Sequence, residues 1–487
     1  MNIFNMLAKI FGNKSANVQI QSVDCPGMYL LNDPTTPQFS EPQILPPQPL
    51  NLQFTVNGYN PTELNSTLPQ ASRAVNCHIT LCNSINYFQD TISKIDKPVQ
   101  EWAATHNLII YPQAGQDFNA YYDRSALKFF FNVDPVTQKT VYAADAIDVV
   151  AHELGHSLLD IMRPDLWNTQ SLEAFAFHEA FGDINAMATM MQSDKILEHV
   201  IDETGGDLMK SNIVSKLAEE LGNAIYHLNP EGRVYGYLRD ASVIFKYVDP
   251  HKLPHKALDN QLCAEPHSFG RIFAGCWYEI VAKIFASEKT KMGNLPAFKH
   301  ARDVAYSCLI KAIKMAPNTV KFTESVAKSM IDAAKMKDHS YYGIIKAVFA
   351  NRHVIRPAIK ILSTTNWNTE INKLTKYDHV VKKGDFIAVR KVGKIKKFKI
   401  SDHLVVNLND ANNPLYDVEM EVPTEHSYFF EKGELIDESY SDNDEILQSA
   451  VVCAVAIYNY HGLGPDKMWK IDNGKLVRNH IVCGCHR

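Results

Sequence analysis

The chain has no excess of basic residues. Its 49 Lys and Arg against 54 Asp and Glu leave a net charge of −5 and a pI near 6.4. That argues against a nucleic-acid binder, whose phosphate-facing surface needs a basic surplus. It also lacks any apolar run of the roughly 18 residues that a membrane span requires. The longest run, Ala450 to Tyr458, fits a buried helix or strand. A secretory leader is not legible, because Lys9 interrupts the short apolar stretch of MNIFNMLAKIFGNK and no clear cleavage site follows. The expectation is a cytoplasmic protein, or one exported by a route independent of a signal peptide. The 9 cysteines are odd in number and scattered from Cys25 to Cys485, which is no disulfide framework and implies buried thiols. The tail VCGCHR offers Cys483, Cys485 and His486 to a metal, but its position favours a frayed end. No internal repeat or long low-complexity tract interrupts the chain.

What is present is ordinary globular composition, 46% hydrophobic and 21% charged, over a length that soft priors divide into a few domains. Residues 1–50 read as an extended, proline-rich segment, since PTTPQFSEPQILPPQP fits neither a helix nor a central strand. Helical spacing is expected from Ala71 to Asn107, through Ile85, Phe88, Ile92, Ile95 and Trp102. Strand-like runs follow at NLIIY, NAYYD and LKFFFNV. Helices dominate from Asp145, including Ser171–Met191, Phe269–Ala286, Pro296–Met315, Thr323–Lys337 and Tyr341–Ala350. Past residue 357, DFIAVRKV, KKFKISDHLVVNL and YDVEMEV read as strands, with a helix near 444–460. The fold class is therefore α+β. Its parts are an N-terminal lobe over 51–195, a helical lobe over 196–357 and an α+β, strand-rich accessory domain over 358–487. The basic run Lys391–Lys399 reads as the solvated side of a strand pair.

The chemistry concentrates in DVVAHELGHSLLD. On a helix, His152 and His156 lie one turn apart on one face and can aim two imidazole nitrogens at one point. That spacing suits tetrahedral zinc, and Glu153, one step round the helix, can reach a water on the metal's open position. The apolar flanks make two satisfied core histidines the weaker reading, because buried polar groups need compensation. A third histidine at short spacing is absent, since Leu159 and Met162 occupy those positions. The helix SLEAFAFHEAFGDINAMATMM supplies acids instead. Glu179 and Asp183 share a face, with Glu179 suited to the metal and Asp183 to fixing the tautomer of a ligand histidine. Glu173 and His178 are the rivals.

These two segments resemble the zinc-binding helices of the thermolysin-like zinc peptidases, the gluzincins. The resemblance implies a two-lobed zincin catalytic domain. It implies one catalytic Zn2+ on His152, His156 and Glu179, with Glu153 as the acid/base and Asp183 as the partner of His152. The interval from His156 to Glu179 is longer than the family's by a few residues, which an enlarged loop over Arg163–Gln170 would absorb. Further, FNAYYDRSALKFFF resembles the edge strand that binds substrate backbone, which carries over Asn119 and Ala120. YGYLRDASVIFKYVDP is similar to the segment of the active-site arginine, here Arg239. EPHSFGRIFAGCWYEIV is similar to that of the second catalytic histidine, here His267, with His227, His251 and His255 as other candidates. Asp259 or Glu265 would orient that imidazole. Trp167 stands near the place of the family's oxyanion tyrosine. The acids of the family's calcium site are mostly missing, so zinc without the calcium cluster is expected.

The function implied is zinc-dependent endopeptidase activity on a peptide or protein substrate, with Val149 and Leu238 lining an apolar pocket for the residue after the cut. The rival readings are a non-catalytic binding protein on a peptidase scaffold and a zinc hydrolase of a non-peptide substrate. A partner of 358–487 is not identified by sequence.

Overall fold

Bulky alternating residues set up the sheets, and near-continuous apolar helices set up the core. The structure is a computed structural model that describes residues 24–30, 33–44, 46–58, 69–337, 339–355, 379–383, 386–391, 396–399, 418–422, 426–431, 434–439, 443–457 and 463–482. The leading segment MNIFNMLAKIFGNK and the tail residues Cys483, Cys485 and His486 lie outside these residues, as does most of the run after Lys399. Within the proline-rich segment, Asp24–Leu30 and Ser40–Ile44 pair as a two-stranded antiparallel ladder.

Among the described residues the helices are α1 (Pro69–Ser93), α2 (Ile147–Met162), α3 (Leu172–Met190), α4 (Asp194–Thr204), α5 (Glu219–Leu228), α6 (Pro266–Met292), α7 (Asn294–Met315), α8 (Phe322–Lys337), α9 (His339–Asn351) and α10 (Asn443–Ala456). Helix α1 stops well short of Asn107. The Ile95 and Asp96 amides turn back to the Ile92 carbonyl, and Pro98 supplies no amide to continue the ladder. Trp102 still reaches the core by a loop, where its Nε1 donates to the Gln53 carbonyl at 2.7 Å.

A five-stranded sheet lies beside these helices. Its order is β5 (Ile481–Val482), β3 (Ala120–Tyr122), β4 (Ala126–Phe129), β2 (Leu108–Tyr111) and β1 (Phe54–Val56). LKFFFNV divides into two strands, β4 and Phe131–Val133, and the second joins Thr140–Tyr142 in another sheet. The strand β3 is not an edge. It has β4 on one side and β5, from the far end of the chain, on the other. This corrects the expectation of a free edge at NAYYD.

The C-terminal region carries two four-stranded sheets. In one of them Lys397 and Lys399 stand opposite Glu421 and Glu419 in register. The region packs against the rest through apolar contacts. Phe175 of α3 joins Val418, Cys453, Trp469 and Leu476, while Leu172 and Ala264 join Val452 and Ala456. Val320 joins Val422, Ile446 and Ala450, and Lys321 pairs with Glu445 at 2.5 Å.

All 19 residues of α3 are buried, and α2 is buried from Ile147 to Asp160. Such helices approach closely only where side chains are minimal. A Cβ on Gly155 would lie 2.8 Å from the Gly182 Cα, and one on Gly182 would lie 2.6 Å from the His152 ring. At the α3–α6 crossing, a Cβ on Gly270 would lie 2.6 Å from the Ala176 carbonyl oxygen. The contacting atoms are backbone or a packed ring, so neither crossing can give way cheaply.

Gly182→Ala should therefore destabilise the fold by about 1–3 kcal/mol through overpacking and displace the His152 ring. Denaturant unfolding combined with metal titration checks both effects, and an unchanged midpoint and unchanged metal affinity would refute the crossing argument.

Candidate metal centre

Helix α2 carries His152 and His156 on the face turned to α3, and α3 returns Glu179 and Asp183 on its own facing side. The result is a buried cluster. The ligand-capable atoms of His152, His156 and Glu179 all lie within 4.8 Å of one another. Glu179 Oε2 is 3.5 Å from His152 Nε2, and Oε1 is 3.9 Å from His156 Nε2. No hydrogen bond reaches His152 Nε2, His156 Nε2 or Glu179 Oε2. Three converging polar atoms, buried from solvent, are costly unless something electrophilic joins them. Two imidazoles and a carboxylate form a donor set that can hold a divalent ion.

Around the cluster, each charge leans on another. His152 Nδ1 meets Asp183 Oδ1 at 2.9 Å, which directs Nε2 toward Glu179. Arg239 holds the same carboxylate through Nε at 2.9 Å and Nη2 at 2.8 Å. Burial works to raise Asp183, but Arg239 and the His152 hydrogen bond outweigh it and hold the carboxyl down at about 2. His267 Nδ1 bonds Glu265, and its Nε2 lies 3.2 Å from Glu179 Oε2. Burial would depress this imidazole, but Glu179 and then Glu265 lift it to about 9. His156 moves the opposite way, well below its ordinary value, through burial first and then the positive charge of neighbours such as His152, His267 and Arg478.

The structure also sorts the rivals. Glu173 faces away from the cluster, accepting from the Tyr247 hydroxyl at 2.6 Å and the Thr323 amide at 3.0 Å. His178 is buried with its ring 5.8 Å from that of His156 and is not part of the cluster. His227 and His251 pair with Asp134 and Asp249, each in its own place, and His255 is exposed. Of the two acids considered for the His267 imidazole, Glu265 makes the contact, while the Asp259 carbonyl accepts from Arg271. Glu153 is fully buried one residue beyond His152. Asn119 is buried too, with Oδ1 free of hydrogen bonds, and Ala120 opens β3 opposite Phe129. Trp167 is buried, packed edge-on against Tyr122 and covered by Arg124 and Arg478. The loop from Arg163 folds as a 3-10 turn over Pro164–Leu166, pinned by Arg163 bonds to Asp165 and to the Ile313 and Ala316 carbonyls.

No protein-family model matches the chain, and no curated protein matches it significantly. The site therefore stands on its own geometry. Two cavities adjoin it. One is lined by Val149, His152, Leu217, Leu221 and Leu238, so the two residues singled out in sequence share it. The other shares Leu238 and Arg239 and is bounded by His267 and Arg271.

Glu179→Gln should abolish stoichiometric metal binding while Glu173→Gln preserves it, as read by metal analysis after dialysis. Asp183→Asn should weaken metal affinity by about 10–100-fold, because His152 loses its orienting acceptor. Glu173 gives a separate pH signature. Burial raises it to about 7 in the fold, against about 4.3 unfolded. The folded chain thus holds the extra proton between these values, and stability falls as pH rises through that window, by up to about 4 kcal/mol. In Glu173→Gln, urea unfolding from pH 4 to 8 should show that part of the slope removed.

Proposed function

We propose that the chain is a zinc-dependent endopeptidase with a thermolysin-like, two-lobed catalytic domain. The observation that carries this reading is the buried convergence of His152, His156 and Glu179, with Asp183 behind His152 and Glu153 the next residue of the same buried helix. Zinc fits because nitrogen and carboxylate donors in a three-residue set leave a position open for chemistry, the arrangement of catalytic rather than structural sites. Bound there, it would supply Lewis acidity toward water and toward a scissile carbonyl.

The chain's own groups carry the rest. Glu153 accepts the proton of the attacking water and delivers it to the departing amine, a transfer that needs a carboxylate next to the reacting atoms. His267, kept cationic by Glu179 and Glu265, donates from Nε2 to the carbonyl oxygen as negative charge builds on it. Arg239 anchors Asp183, so it is read chiefly as a positioning residue whose charge also favours the developing oxyanion. The cavity containing Val149 and Leu238 takes an apolar side chain on the leaving side of the scissile bond.

Purified protein should therefore hold one zinc and cleave casein or a peptide library, with cleavage lost on chelation. Glu153→Gln should keep its zinc and lose kcat by orders of magnitude. If both proteins hold zinc and neither cuts, the site belongs to a binding protein instead. Within the library, bonds before Leu should be cut faster than bonds before Asp, and equal rates would remove the role given to the Val149–Leu238 cavity.

A further inference from the structure

The side of β3 that an added strand would use already has an occupant. Strand β3 has two rows of backbone groups. One pairs with β4, and the other pairs with β5 in antiparallel register, Ile481 opposite Tyr122 and Val482 opposite Tyr121. An extended peptide joining the sheet at β3 needs that second row, because main-chain pairing is what holds a strand-added ligand.

The position beside the metal cluster follows from Tyr122. Its hydroxyl donates to Asp160 Oδ2 at 2.9 Å, and Asp160 lies one turn beyond His156 on α2. Arg124 clamps the same carboxylate at 2.7 Å. The antiparallel sense brings the C-terminal end of β5 to Tyr121, next to Ala120 and Asn119. There Asn119 Oδ1 is buried with no hydrogen bond.

The rest of the C-terminal region is held by other contacts. Phe175, Leu172 and Val320 anchor it through apolar clusters that do not include β5. Arg478, immediately upstream, is buried against Phe175, Trp469 and Trp167 at 4.4, 4.9 and 5.7 Å. The Asn479 amide is fixed to the Met468 carbonyl at 2.8 Å. Beyond that clamp, β5 touches β3 through a ladder of two residue pairs, with the Ile481 side chain buried and the His480 ring 4.6 Å from that of Tyr121. A short strand on a firm tether has a high local concentration and a weak intrinsic hold, which is the profile of an exchangeable occupant.

We propose that β5 is a resident competitor that occupies the peptide-binding row of β3 and keeps the site latent until an extended peptide displaces it. The consequence for activity rests on the peptidase reading above, but the competition itself is tested by binding alone.

The test uses the full chain carrying Glu153→Gln, so that nothing is cut, with a fluorescein-labelled extended heptapeptide centred on Leu as probe. It is compared with the same chain ending at Asn479 and with the full-length chain carrying Ile481→Gly as well, each checked for a cooperative thermal transition. The anisotropy Kd should tighten at least tenfold in both variants, and the unlabelled pentapeptide Arg478–Val482 should displace the probe from the shortened chain. An unchanged or weaker Kd in either folded variant overturns the proposal. So does loss of the cooperative transition in both, because a displaceable strand cannot be required for the fold. Absence of cleavage by the chain with Glu153 intact would count against the peptidase reading and leave these binding results standing.

Discussion

The site depends on how near α2 and α3 can come to each other. Gly155 and Gly182 face one another where the helices cross, and a single methyl on either would collide with backbone or with the His152 ring. That proximity lets Glu179 reach between two imidazoles carried by a different helix. It also sets Asp183 within 2.9 Å of His152. Gly270 gives α6 the same freedom against α3 and so brings His267 to the far side of Glu179. Three helices thus converge on one carboxylate, and each crossing uses a residue without a side chain.

Burying so many ionisable groups would be untenable singly. The arrangement answers this by alternation: Arg239, Asp183, His152, Glu179, His267 and Glu265 follow one another with charges that oppose at every step. His156 stands outside that chain, pushed toward its neutral form by burial and by its cationic neighbours. A neutral imidazole is the form that donates a lone pair to a metal. His152 differs: burial would lower it, but Asp183 and Glu179 raise it to about 10, so it would have to release its Nε2 proton as a metal binds.

The ligand set was legible because polar residues at four-residue spacing on otherwise apolar helices are conspicuous. Helix periodicity puts His152 and His156 on one face and Glu179 with Asp183 on another, while the preference for Glu179 over Glu173 and His178 as the third ligand is completed by the family resemblance. Long-range pairing was not legible. Nothing near Arg239 in sequence points to Asp183, 56 residues away, and only the fold chooses Glu265 over Asp259 for His267. The end of α1 was overestimated because Trp102 continues the apolar rhythm after the helix has turned off at Ile92. Strand β5 leaves no mark in the sequence for a plainer reason: two residues carry no period. Its pairing with NAYYD is what changes the reading of that strand from a free edge to an occupied one.

Zinc K-edge absorption on the purified, stoichiometrically loaded chain tests the central claim most directly, because it reports the atoms around the metal without reference to any substrate. The account predicts one zinc per chain, with only nitrogen and oxygen neighbours at about 2.0–2.2 Å and an imidazole signature for two ligands. Sulfur at about 2.3 Å would contradict it and move the metal to the cysteines. A chain that takes up no zinc would contradict it outright.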